Sequence, residues 1–163
     1  MQIILRNKNT LLFDDFKFKC SIGKKGLTSN KKEGDLKTPK GIYSIGPLFY
    51  RKDKYPKPQT KLKKIIITKK MGWCDDINHK YYNKLITVNK KVRHEKLFRK
   101  DINYDLLIPI NYNTKKTIKN KGSAIFIHLT KNYKKTQGCI ALKSNDMLIL
   151  LKLINKKTKI KIF

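Results

Sequence analysis

The sequence predicts a mostly β fold of the α+β class, with one or two helices. Its apolar residues occur in short runs rich in β-forming side chains, and polar, glycine or proline residues separate these runs. Only one segment, near the C-terminus, reads as a good helix. Strands do not alternate regularly with helices, and no internal repeat or linker is visible. We therefore predict a single domain over residues 1–163.

The strands are predicted in the following order. The first 22 residues alternate weakly and predict two short strands around a turn at residues 6–10. Residues 23–40 are polar and predict a loop, after which Thr38-Pro39 introduces a strand, since proline is tolerated where a strand begins. Another loop covers residues 50–64. The remaining predicted strands are residues 41–46, 62–68, 85–88, 105–110, 123–128 and 158–163.

The predicted helix has Ser144 as its N-cap, Asp146 in its first turn and an apolar face over residues 147–154. It is too short to cross a membrane: Lys152 ends the apolar run at residues 147–151, and a membrane helix needs roughly 18 residues. A membrane-spanning protein is excluded. The N-terminal apolar segment is too short for a signal peptide, and the sequence carries no recognisable export signal.

The chain has 40 Lys+Arg against 11 Asp+Glu, a net charge of +29. Lysine supplies 36 of the 40 basic residues, whereas base and phosphate recognition gains from the planar guanidinium of arginine. Isoleucine and asparagine are abundant as well, with 21 and 13 residues, as A+T-rich codons would produce. The composition favours a solvated, codon-biased surface over a specific nucleic-acid surface. Adhesion to a polyanion and attraction of an acidic substrate remain alternatives.

The three cysteines, Cys20, Cys74 and Cys139, are far apart and form no Cys-x-x-Cys pair. A structural zinc site is therefore not expected. Three thiols also cannot form a closed set of disulfides within one chain. At least one thiol therefore stays free, and one of the three is a candidate nucleophile.

The segment that carries chemistry is Gly122-Ser-Ala-Ile-Phe-Ile-His128, a polar loop, and then Thr136-Gln137-Gly138-Cys139. One loop can bring together a histidine at the end of a strand and a cysteine eleven residues further on. An imidazole within hydrogen-bond reach would take the thiol proton and leave a thiolate–imidazolium pair. The N–H groups of Gly138 and Cys139 are candidates for an oxyanion hole. A buried structural cysteine and histidine are the alternative.

This segment resembles the signature of the YkuD-type L,D-transpeptidase domain, a histidine on a strand followed by Ser/Thr-x-Gly-Cys after a variable loop. A second anchor is Thr38-Pro39-Lys40-Gly41, which matches the Thr-Pro-x-Gly that precedes a strand in this family. Further segments resemble a short, single-domain branch of the family, so the resemblance covers nearly the whole chain. They are Glu33-Gly-Asp35, Tyr50-Arg51, Gly72-Trp73, Asp75-Asp76, Tyr82-Asn83, Arg99-Lys-Asp101 and Tyr104-Asp105.

The resemblance implies a mixed β-sandwich or barrel and a cysteine acyltransferase acting on peptidoglycan stem peptides. Cys139 would attack at the diaminopimelate centre and form a thioester, with His128 as base and then acid. The carbonyl of Leu129 would orient His128, and Thr136 and Gln137 would contact substrate. The thioester would pass to an amine of another stem or to water. The resemblance implies no metal or organic cofactor, and it implies the sensitivity to carbapenems that is typical of the family. We expect a monomer.

The sequence departs from the family at Ala141, where most members have arginine two residues after the cysteine. Because the chain has only four arginines, we predict that Arg99 or Arg51 binds the substrate carboxylates instead. Trp73 is assigned to the substrate side together with a polar loop around Asp75 and Asp76. A metal site formed by this segment with His79 is the less favoured alternative. His94 is predicted to be solvated.

Three functions remain open after the sequence alone. They are a transpeptidase, a carboxypeptidase or endopeptidase on the same fold, and a non-enzymatic module that binds polyanions through its charge. The resemblance implies the periplasm or cell envelope, whereas no signal peptide is visible. No specific nucleic acid is expected as a partner.

Overall fold

The computed structural model describes residues 1–88 and 90–163. Within these residues, fifteen strands and one α-helix follow one another. The strands are β1 (Gln2–Asn7), β2 (Thr10–Phe13), β3 (Phe16–Ser21), β4 (Leu27–Thr28), β5 (Thr38–Pro39), β6 (Gly41–Ser44), β7 (Leu48–Tyr50), β8 (Lys64–Ile66), β9 (Met71–Cys74), β10 (Leu85–Thr87), β11 (His94–Lys96), β12 (Leu106–Pro109), β13 (Phe126–Leu129), β14 (Ile140–Leu142) and β15 (Lys159–Ile162); the helix is α1 (Ser144–Leu153). The predicted mostly β class is confirmed.

Ten strands form one curled, mixed sheet in the order β6-β15-β1-β2-β3-β14-β13-β12-β7-β8. Near its centre is the parallel pair β13 and β14, in which His128 lies opposite Ala141. A three-stranded sheet, β10-β9-β11, and the short parallel pair β4 and β5 complete the architecture. The chain thus brings the segments around residues 128 and 139 side by side in the middle of the large sheet.

The large sheet has an apolar cluster on each face near its centre. The larger cluster contains α1, whose Met147, Leu150 and Leu151 are buried, and the side chains of Ile127 and Leu129. A smaller cluster on the other side includes Trp73, Tyr104, Phe126 and Cys139. Because side chains alternate along a strand, β13 contributes to both clusters. The candidate nucleophile lies in the smaller cluster.

Several predicted elements differ from the structure. Residues 1–22 form three strands, because the left-handed Asp14 makes a second tight turn. The strand predicted over residues 123–128 begins at Phe126, since Gly122 and Ala124 have positive φ values that a strand does not accept. Ser144 is the first helical residue, and Lys143 is the N-cap without a side-chain cap, so the predicted capping role of Ser144 is wrong.

The structure also adds strands that the sequence did not predict. The loop at residues 23–40 contains β4 and β5, and the strands β9 and β11 lie in segments with no clear alternation. No helix in the described part of the chain has the length and apolarity to cross a membrane.

Candidate active site

His128 is the third residue of β13, on the face opposite Ile127 and Leu129. Its Nδ1 is 2.8 Å from the carbonyl oxygen of Leu129. A carbonyl oxygen only accepts, so Nδ1 carries the hydrogen and Nε2 keeps its lone pair. The contact expected with the carbonyl of Leu129 is therefore present. Burial lowers the pKa of His128 to about 4, so that the imidazole is neutral at pH 7.

Cys139 immediately precedes β14 and is 8% exposed. Its Sγ accepts the N–H of Phe126 at 3.3 Å and lies 3.2 Å from the carbonyl oxygen of Ala124, to which the thiol donates. Burial raises the pKa of the thiol to about 12, and the negative charge of Glu95 acts in the same direction. The resting thiol is thus protonated and hydrogen-bonded to the backbone, whereas the sequence predicted a thiolate–imidazolium pair.

The turn before Cys139 is held by two threonine hydroxyls. Thr136 Oγ1 donates to the carbonyl oxygen of Cys139 at 2.6 Å and accepts the Gly138 N–H at 3.1 Å. Thr38 Oγ1 donates to the carbonyl oxygen of Gly138 at 2.8 Å and accepts the Gly23 N–H at 3.0 Å. The two motifs that carry the family resemblance are therefore in direct contact, which explains their joint occurrence.

Gly138 is required by both its conformation and its surroundings. It has φ +145°, and a Cβ at this position would lie 2.9 Å from the carbonyl oxygen of Lys37. Its N–H, predicted for an oxyanion hole, already donates to Thr136 in the resting structure. Before this N–H can donate to a substrate oxygen, its hydrogen bond to the Thr136 hydroxyl must break.

The segment that receives the thiol hydrogen bond is held by Asn83, a buried residue of the loop after β9. Its Oδ1 accepts the N–H of Ala124 and the indole N–H of Trp73, both at 3.0 Å. Its Nδ2 donates to the carbonyls of Tyr112 and Asn113. The Asn83 amide thus connects strand β9 to the segment before β13 and to the loop after β12.

Next to Asn83, Tyr82 and Glu33 hold the start of the same segment. The Tyr82 hydroxyl accepts the Gly122 N–H at 3.1 Å and donates to Glu33 Oε2. Ser123 Oγ donates to the same carboxylate oxygen at 2.8 Å. The backbone at residues 122–124 is thus held by side chains from two distant loops.

Aromatic side chains form the wall behind the nucleophile and the base. Tyr104 packs edge-on against Phe126 and against the His128 imidazole, with ring centroids 5.7 and 5.4 Å apart. Trp73 packs edge-on against Phe126 at 5.2 Å. These contacts restrict the His128 ring and exclude water from the back of the site.

A cavity of about 440 Å³ opens on this wall and contains both Cys139 and His128 in its lining. Five basic side chains line it: Lys24, Lys31, Arg99, Lys134 and Lys135. Three acidic side chains face them, namely Glu33, Asp75 and Glu95. The arrangement suits a ligand that carries charges of both signs.

Three of the five predicted substrate-binding residues line the cavity, and two do not. Thr136, the exposed Gln137 and Arg99 line the cavity. Trp73 lies behind it and packs in the smaller cluster. Arg51 borders a different cavity, where its guanidinium pairs with Asp53.

Ala141, the position where the sequence departs from the family, is fully buried. It lies between His128 and Ser21 in the ladders of the large sheet. Its methyl group presents no charge, so the cavity's basic groups come from other segments. Of the two arginines proposed as substitutes, only Arg99 reaches this cavity.

Two other predictions concerned histidines and metals. His94 is half-buried, with Nδ1 2.6 Å from the carbonyl of Val92 and a buried Nε2 without a hydrogen-bond partner, so the prediction that it is solvated is wrong. Across the described ranges, no three His, Cys, Asp or Glu side chains are grouped as a metal would require.

The sequence reasoning missed the roles of Asn83, Ala124 and Glu95. The sequence indicated Asn83 only as part of the Tyr82-Asn83 segment that resembles the family. Glu95 follows His94 in a segment with no clear alternation, so only the three-dimensional arrangement reveals its place beside Cys139.

Comparison with known proteins agrees with this geometry. The family model of the YkuD L,D-transpeptidase catalytic domain matches residues 2–162. The crystal structure of the helical cell shape determining protein Pgp2 from Campylobacter jejuni is similar, with a TM-score of 0.53 and 19% identity over 99% of this chain and 46% of that one. The K307A mutant of Pgp2 gives a TM-score of 0.53 and 20% identity, over 99% and 45% of the two chains.

The chain thus spans less than half the length of these structures. At this identity the likeness shows the fold alone. No curated protein matches the sequence.

Proposed function

The chain belongs to the YkuD family of L,D-transpeptidase catalytic domains, and from this membership we propose that it transfers peptidoglycan stem peptides through a thioester on Cys139. Family membership itself implies a cysteine-dependent enzyme acting on peptidoglycan. The observation that carries the proposal is the shared cavity: the Cys139 thiol, just before β14, and the neutral His128 imidazole, on the neighbouring strand β13, line the same opening.

The first half of the reaction forms the acyl-enzyme. Nε2 of His128 takes the proton of the Cys139 thiol, and the thiolate attacks the stem-peptide carbonyl at the diaminopimelate centre. The C–N bond to the terminal D-amino acid breaks, and the leaving amine takes the proton from His128. The raised thiol pKa and lowered imidazole pKa mean that this ion pair forms only transiently, once substrate is in place.

The oxyanion of the tetrahedral intermediate needs N–H donors. We assign the Cys139 N–H to this role, together with the Gly138 N–H after it exchanges the Thr136 hydroxyl for the substrate oxygen. Gln137, exposed at the rim, is assigned to substrate contact.

The basic side chains of the cavity suit the carboxylates of a stem peptide. Arg99 is the arginine that lines the cavity, and its guanidinium lies 4.9 Å from the Tyr104 ring centroid. We propose that it binds a substrate carboxylate in place of the arginine missing at Ala141.

Hydrolysis is the second candidate function, because water can accept the same thioester. The observation that favours it is the polar, charged lining of the cavity, which admits water to the acyl group. Such an enzyme would shorten or cleave stem peptides instead of joining them. A polyanion-binding module is a poorer match, since surface charge does not account for the buried Cys139–His128 site.

We propose that the domain acts in the periplasm or cell envelope, as a monomer without a specific nucleic-acid partner. Fractionation and the mass measured in solution test these two points. Salt-dependent DNA binding that does not involve Cys139 would favour the polyanion module instead.

Intact-protein mass spectrometry with a carbapenem tests the nucleophile. We expect one covalent adduct on the wild type and none on Cys139→Ala, with Cys74→Ala as the matched control that still reacts. No adduct on the wild type would count against the proposal. Product analysis with disaccharide-tetrapeptides then separates the two functions, since dimers indicate transpeptidation and shortened monomers indicate hydrolysis.

A further inference from the structure

Glu95 is one of only two glutamates in the chain and lies at the centre of β11, opposite Trp73 of β9. It is half-buried and lines the cavity that contains Cys139 and His128. The proposed thioester chemistry does not use this carboxylate. A charged side chain is seldom buried beside a nucleophile without a partner or a task.

A short series of contacts connects Glu95 to both reacting groups. The Tyr104 hydroxyl donates to Glu95 Oε2 at 2.5 Å. The Tyr104 ring packs edge-on against the His128 imidazole and against Phe126. The Phe126 N–H in turn donates to Cys139 Sγ. The Glu95 carboxylate is therefore held in a fixed position relative to the base and the thiol.

The other two acids of the cavity are engaged differently. Glu33 Oε2 accepts hydrogen bonds from two hydroxyl groups. Asp75 forms an ion pair with Arg93, with 3.2 Å between Asp75 Oδ1 and Arg93 Nε. Among residues 1–88 and 90–163, no lysine or arginine forms an ion pair with Glu95, although the chain has 40 basic residues. Of the three acids, only Glu95 acts on the pKa of Cys139 through its charge.

The surroundings of Glu95 favour binding of a positively charged ligand group. Burial raises the pKa of its carboxyl, while the Tyr104 hydroxyl and the charge of Arg99 lower it. A positively charged group in contact with the Glu95 carboxylate would offset the free-energy cost of removing that carboxylate from water. The titratable groups that face it are Tyr104, Arg99, Asp75, Glu33 and Cys139.

We propose that Glu95, held by Tyr104, binds the primary ammonium group of the acyl acceptor and removes its proton before it attacks the thioester. This inference rests on the proposed function and adds the site of the second substrate. The five basic side chains of the cavity repel an ammonium group, so a carboxylate is needed for its capture.

Aminolysis removes two protons from the ammonium group of the acceptor. An N–H bond of the ammonium breaks and an O–H bond forms on Glu95. The neutral amine attacks the thioester carbon, its second proton passes to His128, and the C–S bond breaks as the amide forms. His128 returns this proton to the Cys139 thiolate, and Glu95 releases the other to solvent. When water is the acceptor, no ammonium group has to be bound or deprotonated, so hydrolysis of the thioester does not need Glu95.

The test follows how the acyl-enzyme divides between an amine and water. The wild type, Glu95→Gln and Asp75→Asn are given a tetrapeptide donor and a stem peptide with a free primary amine, and dimers and hydrolysed monomers are counted by mass spectrometry. Glu95→Gln keeps the Tyr104 hydrogen bond but cannot take a proton. Asp75→Asn removes the same charge from the same cavity.

We expect Glu95→Gln to lower dimer formation at least tenfold at pH 7, with acylation and hydrolysis within about twofold of the wild type. The deficit should shrink as pH approaches about 10, where the acceptor amine is neutral without help. Asp75→Asn should lower dimer formation less than Glu95→Gln does, because Asp75 is already paired with Arg93. If Glu95→Gln does not fold, Glu95→Asp should form fewer dimers and keep the wild-type pH dependence.

Three outcomes in the variants would overturn the inference. They are wild-type aminolysis in Glu95→Gln, equal losses in Glu95→Gln and Asp75→Asn, or a parallel fall in acylation, which indicates a merely structural role. A wild type that forms a thioester but no dimers also overturns it and leaves hydrolysis standing. A wild type that forms no thioester overturns the proposed function itself, so the two failures are distinguishable.

Discussion

The thiol of Cys139 donates a hydrogen bond to the carbonyl oxygen of Ala124, and Ala124 has a left-handed backbone with φ 52°. A residue with a Cβ in this conformation costs roughly 1 kcal/mol relative to the right-handed region. The Asn83 side chain offsets the cost by accepting the Ala124 N–H at 3.0 Å. The direction of the carbonyl that holds the nucleophile therefore depends on a residue 41 positions earlier.

Asn83→Ala should lower the free energy of unfolding by roughly 2–4 kcal/mol, because it leaves buried backbone and indole groups without partners. Ala124→Gly relieves the left-handed strain, so we expect it to be neutral or stabilising by up to about 1 kcal/mol. Urea unfolding of both variants and of the double variant measures this. An Asn83→Ala variant as stable as the wild type would contradict the role of Asn83.

The resting thiol should react slowly with alkylating agents. With its pKa raised to about 12, the thiolate fraction at pH 7 is small and increases about tenfold with each pH unit. We expect iodoacetamide to modify Cys139 at least 100-fold more slowly than a small free thiol of pKa about 8.5, with no plateau below pH 10. Peptide mapping locates the label, and Cys139→Ala supplies the background from Cys20 and Cys74. A plateau near pH 7 at Cys139 would indicate a resting thiolate.

The sequence predicted the fold class and the two candidate reacting residues because both predictions depend on local patterns. His128 ends a strongly β-forming run, and Gly138 directly precedes Cys139. Glycine is the residue that tolerates φ +145° against a neighbouring carbonyl, so its place in the motif has a steric cause. The Thr38-Pro39 match was also informative, since Thr38 bonds the Gly138 carbonyl.

The support of the site was not predictable from local patterns. Glu95, Asn83 and Ala124 are brought to Cys139 by contacts between segments far apart in sequence. The left-handed Ala124 also interrupts an apolar run that reads as strand, because alternation carries no information on the sign of φ. The predicted environment of the thiol differs from the structure for the same reason: spacing does not reveal that the thiol donates a hydrogen bond to a backbone carbonyl.

Of the two arginines predicted to bind substrate, we expect Arg99 to contribute to substrate binding and Arg51 to contribute to stability. Arg51 is buried, binds Asp53 through two guanidinium nitrogens, donates to the carbonyl of Arg99 and lies 3.7 Å from the Phe98 ring centroid. Arg51→Ala should therefore lower the free energy of unfolding by roughly 3 kcal/mol.

Arg99→Ala should fold with near wild-type stability and raise KM for the tetrapeptide about tenfold or more, because the pairing of Arg99 with Asp101 is largely solvent-exposed. Circular dichroism with urea and steady-state kinetics on the same preparations measure both quantities. Wild-type KM in Arg99→Ala would contradict its assignment to the substrate carboxylate.

The buried His128 should make the fold sensitive to acid. Its pKa is lowered to about 4 by burial, whereas an unfolded histidine titrates near 6.5. Between these values the unfolded state binds more protons, so the stability from this residue is full above pH 6.5 and is lost as pH falls toward 4. The loss from pH 7 to pH 4 is about 3 kcal/mol. Other groups titrate in the same range, so the comparison must be made with a variant.

His128→Asn removes the titrating ring and keeps a polar side chain that can donate to the Leu129 carbonyl. Urea unfolding of both proteins at several pH values from 4 to 7 gives the difference in slope. We expect the wild type to lose about 2–3 kcal/mol more than the variant over this range, whatever their difference at pH 7. Parallel curves would mean that the folded protein accepts a proton on His128 near pH 6.5. In that case the imidazole would be charged in the resting site at mildly acidic pH.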